Sequence, residues 1–273
     1  MRRGARALGD ATVLGATALW ATPFFWQLVT SFKTDAELVR LPPLLPTTLT
    51  LVHYGVVFER SAMPGALCNS LGVAALTTAL ALLLGVPAAY GLARLPVPGR
   101  SALLLAIVGC TAFPQIATVS PLYLLMRALG LRDTWTGLVL AHASFALPLT
   151  IWLLAGFIRE IPEALEEAAA VDGAGLAATF RWVIGPLLAP GMASAALLTF
   201  LFSWNEFLFA YTFTATEASR TAPVALALFP GVFEVPWGDI AAASMLASAP
   251  TIAIAVGLQR YLVRGLLAGA TKD

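Results

Sequence analysis

Six long apolar runs, at about residues 11–31, 68–93, 101–126, 136–157, 187–213 and 240–263, leave this chain few folds to choose from. Each is long enough to cross a hydrocarbon layer of about 30 Å, which takes roughly 20 residues as helix. Inside lipid every backbone N–H and C=O must be satisfied by the protein itself, so only helices and closed barrels can span it. Barrel strands alternate polar and apolar residues, whereas runs such as Ala79-Leu80-Ala81-Leu82-Leu83-Leu84 are apolar all round. The expectation is an all-α membrane protein with six transmembrane helices. Composition agrees. Charged residues make up only 11% of the 273, against roughly 25% in a soluble domain, and the mean hydropathy is +0.84.

Arg2, Arg3 and Arg6 precede the first run, which is too long for the apolar core of a secretory signal and lacks a convincing small-residue cleavage site. It reads as a first span. With the N-terminus inside, ten Lys and Arg fall on the cytoplasmic side (Arg2, Arg3, Arg6, Arg94, Arg100, Arg159, Arg181, Arg260, Arg264 and Lys272) and six outside. Both termini are then cytoplasmic, and residues 1–273 form a single transmembrane domain. The formal charge of +1 and the lack of a basic stripe argue against a nucleic-acid partner. Cys68 and Cys110 read as small packing residues, and His53 and His142, the only histidines, leave too little for a metal cluster, so no metal site is expected. No Gly-x-x-x-x-Gly-Lys-Ser/Thr occurs, so the chain cannot cradle nucleotide phosphates itself.

Proline interrupts several runs: Pro87 in the second, Pro114 and Pro121 in the third, Pro148 in the fourth. Each deletes a backbone hydrogen bond that lipid cannot replace, so neighbouring helices or a wet cavity must compensate. A loop from Phe32 to about Ala66, with Pro42, Pro43 and Pro46, is expected outside. Between the fourth and fifth runs lies the polar segment 158–186. Pro162 suits a first helical turn, Glu163, Glu166 and Glu167 complement the helix dipole, Ala168–Ala170 favour helix, and Gly173 can supply a left-handed turn that ends it. A second short helix is expected from about Gly175 toward Pro186.

The spacing of Glu167-Ala168-Ala169, three residues, Gly173, and then an apolar ending at Val183-Ile184-Gly185-Pro186 resembles the EAA loop of ABC importer permeases. Pro121-Leu122-Tyr123, Leu129-Gly130-Leu131, Trp152–Phe157, Trp204-Asn205-Glu206-Phe207 and the tail from Gln259 are similar to the sugar-importing branch, of maltose and trehalose type. The family ending usually carries Leu before Pro, where this chain has Gly185. The resemblance implies the type I ABC importer permease fold in a bacterial inner membrane. It also implies a homologous second permease, two ATPase subunits that bind ATP and Mg, and an extracytoplasmic sugar-binding protein. In that scheme Glu167, Ala168, Ala169, Asp172 and Gly173 couple the chain to the ATPase. No residue is catalytic and no cofactor is held by this chain.

For the substrate path, intramembrane polar residues are the natural candidates: Trp204, Asn205, Glu206 and Gln115. An aromatic face with fixed hydrogen-bonding groups suits a sugar, but Asn205 and Glu206 equally suit contacts with the sister permease, and His142 reads as a buried, satisfied histidine. The loop from about Thr214 to Asp239 is a candidate contact for the binding protein. Permeases for glycerol phosphate or amino acids carry a similar loop. An ion-coupled secondary transporter is the poorest of these readings, because Glu206 is nearly alone as an ionisable group within the runs.

Overall fold

The structure is a computed structural model that describes residues 2–39, 44–229 and 235–270, and the side chains of 9–39, 44–229 and 235–257. Among these residues every regular element is helical. In order they are α1 (Arg2–Thr30), α2 (Asp35–Val39), α3 (Val52–Arg60), α4 (Met63–Arg94), α5 (Arg100–Thr111), α6 (Gln115–Ala128), α7 (Trp135–Glu160), α8 (Ala164–Val171) and α9 (Leu176–Thr179). A π-helical turn (Phe180–Ile184) then leads into α10 (Gly185–Asn205), followed by α11 (Leu208–Phe213), α12 (Ala222–Ala227) and α13 (Trp237–Ala270).

The expectation of six spans is met only in part. Four stretches are long and apolar enough to cross a membrane: α4, α7, the continuous helix Leu176–Asn205, and α13 from Trp237 to Gly257. The third run is not one helix. It breaks at Ala112-Phe113-Pro114, and α5 and α6 meet at 88°. Neither half crosses by itself, since 12 and 14 residues reach only about 18 and 21 Å. Pro114, extended at ψ 120°, is the N-cap of α6, where its missing N–H removes no intrahelical hydrogen bond. The first run is helical over 29 residues, but Thr12, Thr17, Thr22, Pro23 and Gln27 dilute its apolarity, and it does not stand with the four. The fifth run also differs from expectation: the helix starts at Leu176, ends at Asn205, and restarts as α11.

Contacts group the chain into two compact units, residues 1–64 with 225–249, and residues 65–224 with 250–273. In the first unit, His53 of α3 is the hub. Its Nδ1 lies 2.7 Å from Asp239 Oδ1 and its Nε2 2.9 Å from the Lys33 carbonyl oxygen. Ser31 and Tyr54 hydroxyls meet at 2.9 Å beside it. These polar contacts pin the end of α1 and the start of α13 to α3. Pro42 and Pro43 of the first loop, and residues 230–234 of the loop from Thr214 to Asp239, lie outside the described residues.

The second unit is built around α7 and α10, which run antiparallel. Leu154, Ile158, Ile184 and Leu188 fill one part of its core, joined by Val86, Ala89 and Ala93 of α4. Phe209, Ala210 and Phe213 of α11 fill another, against Leu138, Val139 and Met126. Polar stitches cross the α7–α10 seam at intervals: Thr150 Oγ1 to Thr199 Oγ1 at 3.0 Å, and His142 Nδ1 to Ser203 Oγ at 2.8 Å. Within lipid the driving force for helix association is close packing rather than water exclusion, so small residues mark the seams. A Cβ on Gly191 would stand 2.6 Å from Phe157 Cγ, and one on Gly72 would stand 2.2 Å from the Trp135 ring.

Gly191→Ala is therefore expected to destabilise the chain by about 1–3 kcal/mol, the usual cost of overpacking a filled core. Phe157→Leu in the same chain should recover much of that loss. Thermal unfolding in detergent checks both, and an unaffected single variant would mean the seam is loose.

A loop anchor sits at one end of this unit. Asp133, at φ 59°, accepts hydrogen bonds at its carboxylate from the Ala215 and Thr216 N–H groups at 2.8 and 3.1 Å and from the hydroxyls of Thr216 and Ser219. Asn69 Nδ2 donates to the carbonyl oxygens of Glu217 and Arg220, and Trp135 Nε1 donates to Asn69 Oδ1. Partial burial pushes the Asp133 carboxyl up, but these donors outweigh it and hold the group well below its ordinary 3.8. A carboxyl lowered on folding stabilises fully above its unfolded pKa and loses that contribution as pH falls through 3.8 toward the folded value. Asp133→Asn should therefore weaken the chain at neutral pH and flatten its acid destabilisation. Melting temperatures from neutral pH down to about pH 3 test this, and equal slopes in both proteins would refute it.

Candidate functional site

The segment between α7 and α10 folds as a compact hairpin with an exposed crest. α7 stops at Glu160 because Ile161 turns extended at ψ 123° ahead of Pro162, the conformation that a following proline enforces. Pro162 then lies two residues before α8, outside the first turn expected of it, with Glu163 as the N-cap. Glu166 and Glu167 occupy the first turn, where the helix dipole favours negative charge.

The end of α8 is a Schellman motif. Ala174 N–H donates to the Ala169 carbonyl at 2.9 Å and Gly173 N–H to that of Ala170 at 3.0 Å, with Gly173 at φ +81°. A side chain there would be strained, so glycine is what lets the chain reverse. α9 begins as expected, with Gly175 as N-cap. The π turn follows. Its widened ring brings the Phe180 carbonyl within 2.9 Å of where a Gly185 Cβ would stand. That close approach accounts for the glycine that departs from the family ending.

A clamp from α4 holds this hairpin. The Arg94 side chain is 7% exposed; its Nε donates to Glu166 Oε1 and a terminal nitrogen to the Ile161 carbonyl oxygen. Tyr90, one turn earlier, donates its hydroxyl to Glu166 Oε2 at 2.8 Å and meets the Phe180 ring edge-on. Both carboxylate oxygens of Glu166 are thus engaged, and charge-assisted bonds of this kind are the strong ones. In the sequence Glu166 reads only as a helix-dipole residue, and no motif there marks the clamp. Its partners lie more than seventy positions away, and the only local hint is the i, i+4 placement of Tyr90 and Arg94 at the end of a span.

Of the expected coupling residues, Glu167, Ala168, Asp172 and Gly173 are exposed on the hairpin, whereas Ala169 is buried beneath it and packs rather than presents. The crest carries apolar residues that the sequence reading did not single out. Val171 is 88% exposed, Trp182 72% and Leu176 67%. The side chains of the tail from Gln259 lie outside those described.

The substrate-path candidates separate. Trp204 is buried and stacked on Phe200, with ring centroids 5.7 Å apart. Glu206 is also buried. Its carboxylate accepts from the Phe209 and Ala210 N–H groups at 2.8 and 3.1 Å, capping α11, and lies 3.0 Å from His142 Nε2. It therefore serves the break between α10 and α11 from within the chain. Asn205 is exposed, donating to the Leu201 carbonyl oxygen, and Gln115 opens α6 half-buried at the 88° bend. His142 is buried, with Nδ1 2.8 Å from Ser203 Oγ and Nε2 3.0 Å from Glu206 Oε2. Among the described residues no group of three or more His, Cys, Asp or Glu is placed to hold a metal ion.

A protein family described as the binding-protein-dependent transport system inner membrane component matches residues 6–268. The chain belongs to that family. Over 268 residues the permease is 44% identical to the trehalose transport system permease protein SugB of Mycobacterium tuberculosis, covering 97% of this chain and 96% of the relative. It is 38% identical to the trehalose/maltose transport system permease protein MalG of Thermococcus litoralis, over 92% and 91% of the two chains. Among solved structures, a chain of a bacterial ABC transporter involved in import of the acidic polysaccharide alginate superposes with a TM-score of 0.80 at 24% identity, covering 93% of the permease and 95% of that chain. The fold is shared with that transporter.

Proposed function

We propose that this permease forms half of the translocation path of an ATP-driven sugar importer, with a homologous second permease as the other half. Its cargo is a disaccharide such as trehalose or maltose, delivered by an extracytoplasmic binding protein. In this reading α1 supplies the first crossing and the broken α5–α6 pair the third, which gives six. Both termini and the 158–186 hairpin then face the cytoplasm of a bacterial inner membrane, where two ATPase subunits hold ATP and Mg. The relatives transport trehalose and maltose by name, which supports the sugar assignment.

The observation that carries the coupling role is the hairpin's construction: an exposed apolar crest on a base held by Arg94 and Tyr90. Val171, Leu176 and Trp182 would seat in a cleft of the ATPase, with Glu167 and Asp172 at its rim and Ala168 keeping the surface smooth. Gly173 sets the reversal, and Ala169 ties crest to base. When the ATPase dimer closes, a hairpin so clamped passes the movement to α4 and α10 instead of bending. In the same reading Asn205 and Gln115 are the candidates left facing a path, while Trp204 and Glu206 shape it from behind.

Val171→Asp tests this with little risk to folding, because the side chain is already exposed. Burying a valine is worth about 1.5 kcal/mol or more, so substrate-stimulated ATPase activity and uptake by the reconstituted complex should each fall at least about tenfold. Unchanged rates in a fully assembled complex would remove the hairpin from the coupling path.

A further inference from the structure

One cavity of the permease lies away from the coupling crest. It is an open groove of about 380 Å³ between α5 and α7, lined by Arg100, Arg159, Trp152, Leu104, Leu105 and Val108 among others. Its two cations stand at the ends of their helices. Arg100 is the first residue of α5 and Arg159 the penultimate residue of α7. Among the described residues neither forms an ion pair, although Arg100 donates one hydrogen bond to the Ala93 carbonyl oxygen. Away from the arginines the groove is apolar. Val108 is eight residues along α5 from Arg100 and Trp152 seven residues along α7 from Arg159, so the lining extends about 10–12 Å along the two helices from the arginines.

We propose that this groove binds an anionic phospholipid, its phosphate between Arg100 and Arg159 and an acyl chain along Leu105, Val108 and Trp152. Two like charges converging without a carboxylate call for an anion. A soluble anion, or an acidic patch on a protein at the membrane surface, would account for the arginines alone. The apolar continuation into the hydrocarbon fits only a ligand whose charged head carries a long apolar tail. Arginine at headgroup depth is a residue that lipid interfaces favour, and basic pockets between spanning helices suit acidic headgroups. The site adjoins the last turn of α7, immediately before the hairpin, so bound lipid would brace the root of that segment.

The test uses the assembled complex in non-ionic detergent, titrated separately with dioleoyl phosphatidylglycerol and dioleoyl phosphatidylcholine and read by native mass spectrometry. Phosphatidylglycerol should be retained in preference. Each arginine near an anionic headgroup contributes about a fivefold factor, so Arg100→Gln with Arg159→Gln should weaken phosphatidylglycerol binding about thirtyfold and leave phosphatidylcholine unchanged. Val108→Trp, which fills the groove without altering charge, should also reduce retention. The proposal is overturned if both variants hold phosphatidylglycerol as well as the parent does, or if millimolar inorganic phosphate displaces the lipid completely. It is equally overturned if the charge variant sheds the ATPase while its lipid binding is intact, since the arginines would then belong to a protein contact. Val171→Asp should leave lipid retention untouched, so failure of the coupling reading and failure of this one are separable.

Discussion

Glu206→Ala is expected to destabilise the folded permease by about 3 kcal/mol, because each buried polar group it leaves without a partner costs about 1–3 kcal/mol. Two losses coincide. His142, buried on α7, loses the carboxylate 3.0 Å from its Nε2, and the first N–H groups of α11 lose their acceptor. α11 carries Phe209 and Phe213 into the core against Leu138 and Met126, so a frayed start would loosen packing well beyond the pair. His142→Ala should cost a comparable amount. Because the two side chains share one contact, His142→Ala with Glu206→Ala should cost less than the sum of the singles. Thermal unfolding of the three variants in detergent measures this cycle. Strict additivity would show that the pair is not coupled and that Glu206 acts through the cap alone.

Arg94→Ala is the second large effect. It strips Glu166 of its cation and leaves the Ile161 carbonyl without that donor, a combined cost of about 3 kcal/mol. The functional loss should exceed the loss of fold. With the Arg94 clamp gone, α8 keeps the Tyr90 hydrogen bond and its contacts with α9 and the π turn, and uptake should drop further than assembly does. Arg94→Lys should rescue only part, since an ammonium cannot reproduce the guanidinium fork across Glu166 and Ile161. Hydrogen exchange over residues 161–173, measured beside uptake, separates the outcomes. An unchanged exchange pattern would mean the clamp does not stiffen the hairpin.

Much of this architecture is legible before any coordinates, and the reasons differ by element. α4 and α7 are recognisable because lipid demands an apolar surface on every side, and that demand is written residue by residue in Ala79–Leu84. Gly173 is legible because a helix must end and only glycine reverses it without strain. Pro114 marks a break but not its size; the 88° between α5 and α6 is set by what the two halves pack against, which local sequence does not encode. The same holds at the candidate site. The exposed Glu167, Asp172 and Gly173 follow from local pattern, whereas Arg94 with Glu166, and His142 with Glu206, are pairings across more than sixty residues that only the fold creates. Trp204 and Glu206 look like path residues as a polar and aromatic cluster in an apolar run. In the fold both are buried, and Glu206 accepts hydrogen bonds from the first N–H groups of the helix that restarts.

The π turn at Phe180–Ile184 also determines how the permease tolerates changes of length. A π turn holds one residue more than the α-helix it interrupts, and each residue of an α-helix advances the chain by about 100° and 1.5 Å. Removing any one residue from Phe180–Ile184 would let the segment close as ordinary α-helix with its hydrogen bonds intact. Everything before it would then be turned by about 100° relative to α10. The extra residue thus acts as a phase setting: it fixes which way the crest points without being part of the crest. Single-residue deletions here should give chains that insert and pack but aim Val171 away from its seat, while the same deletion in the loop at 214–217 should leave that aim unaltered.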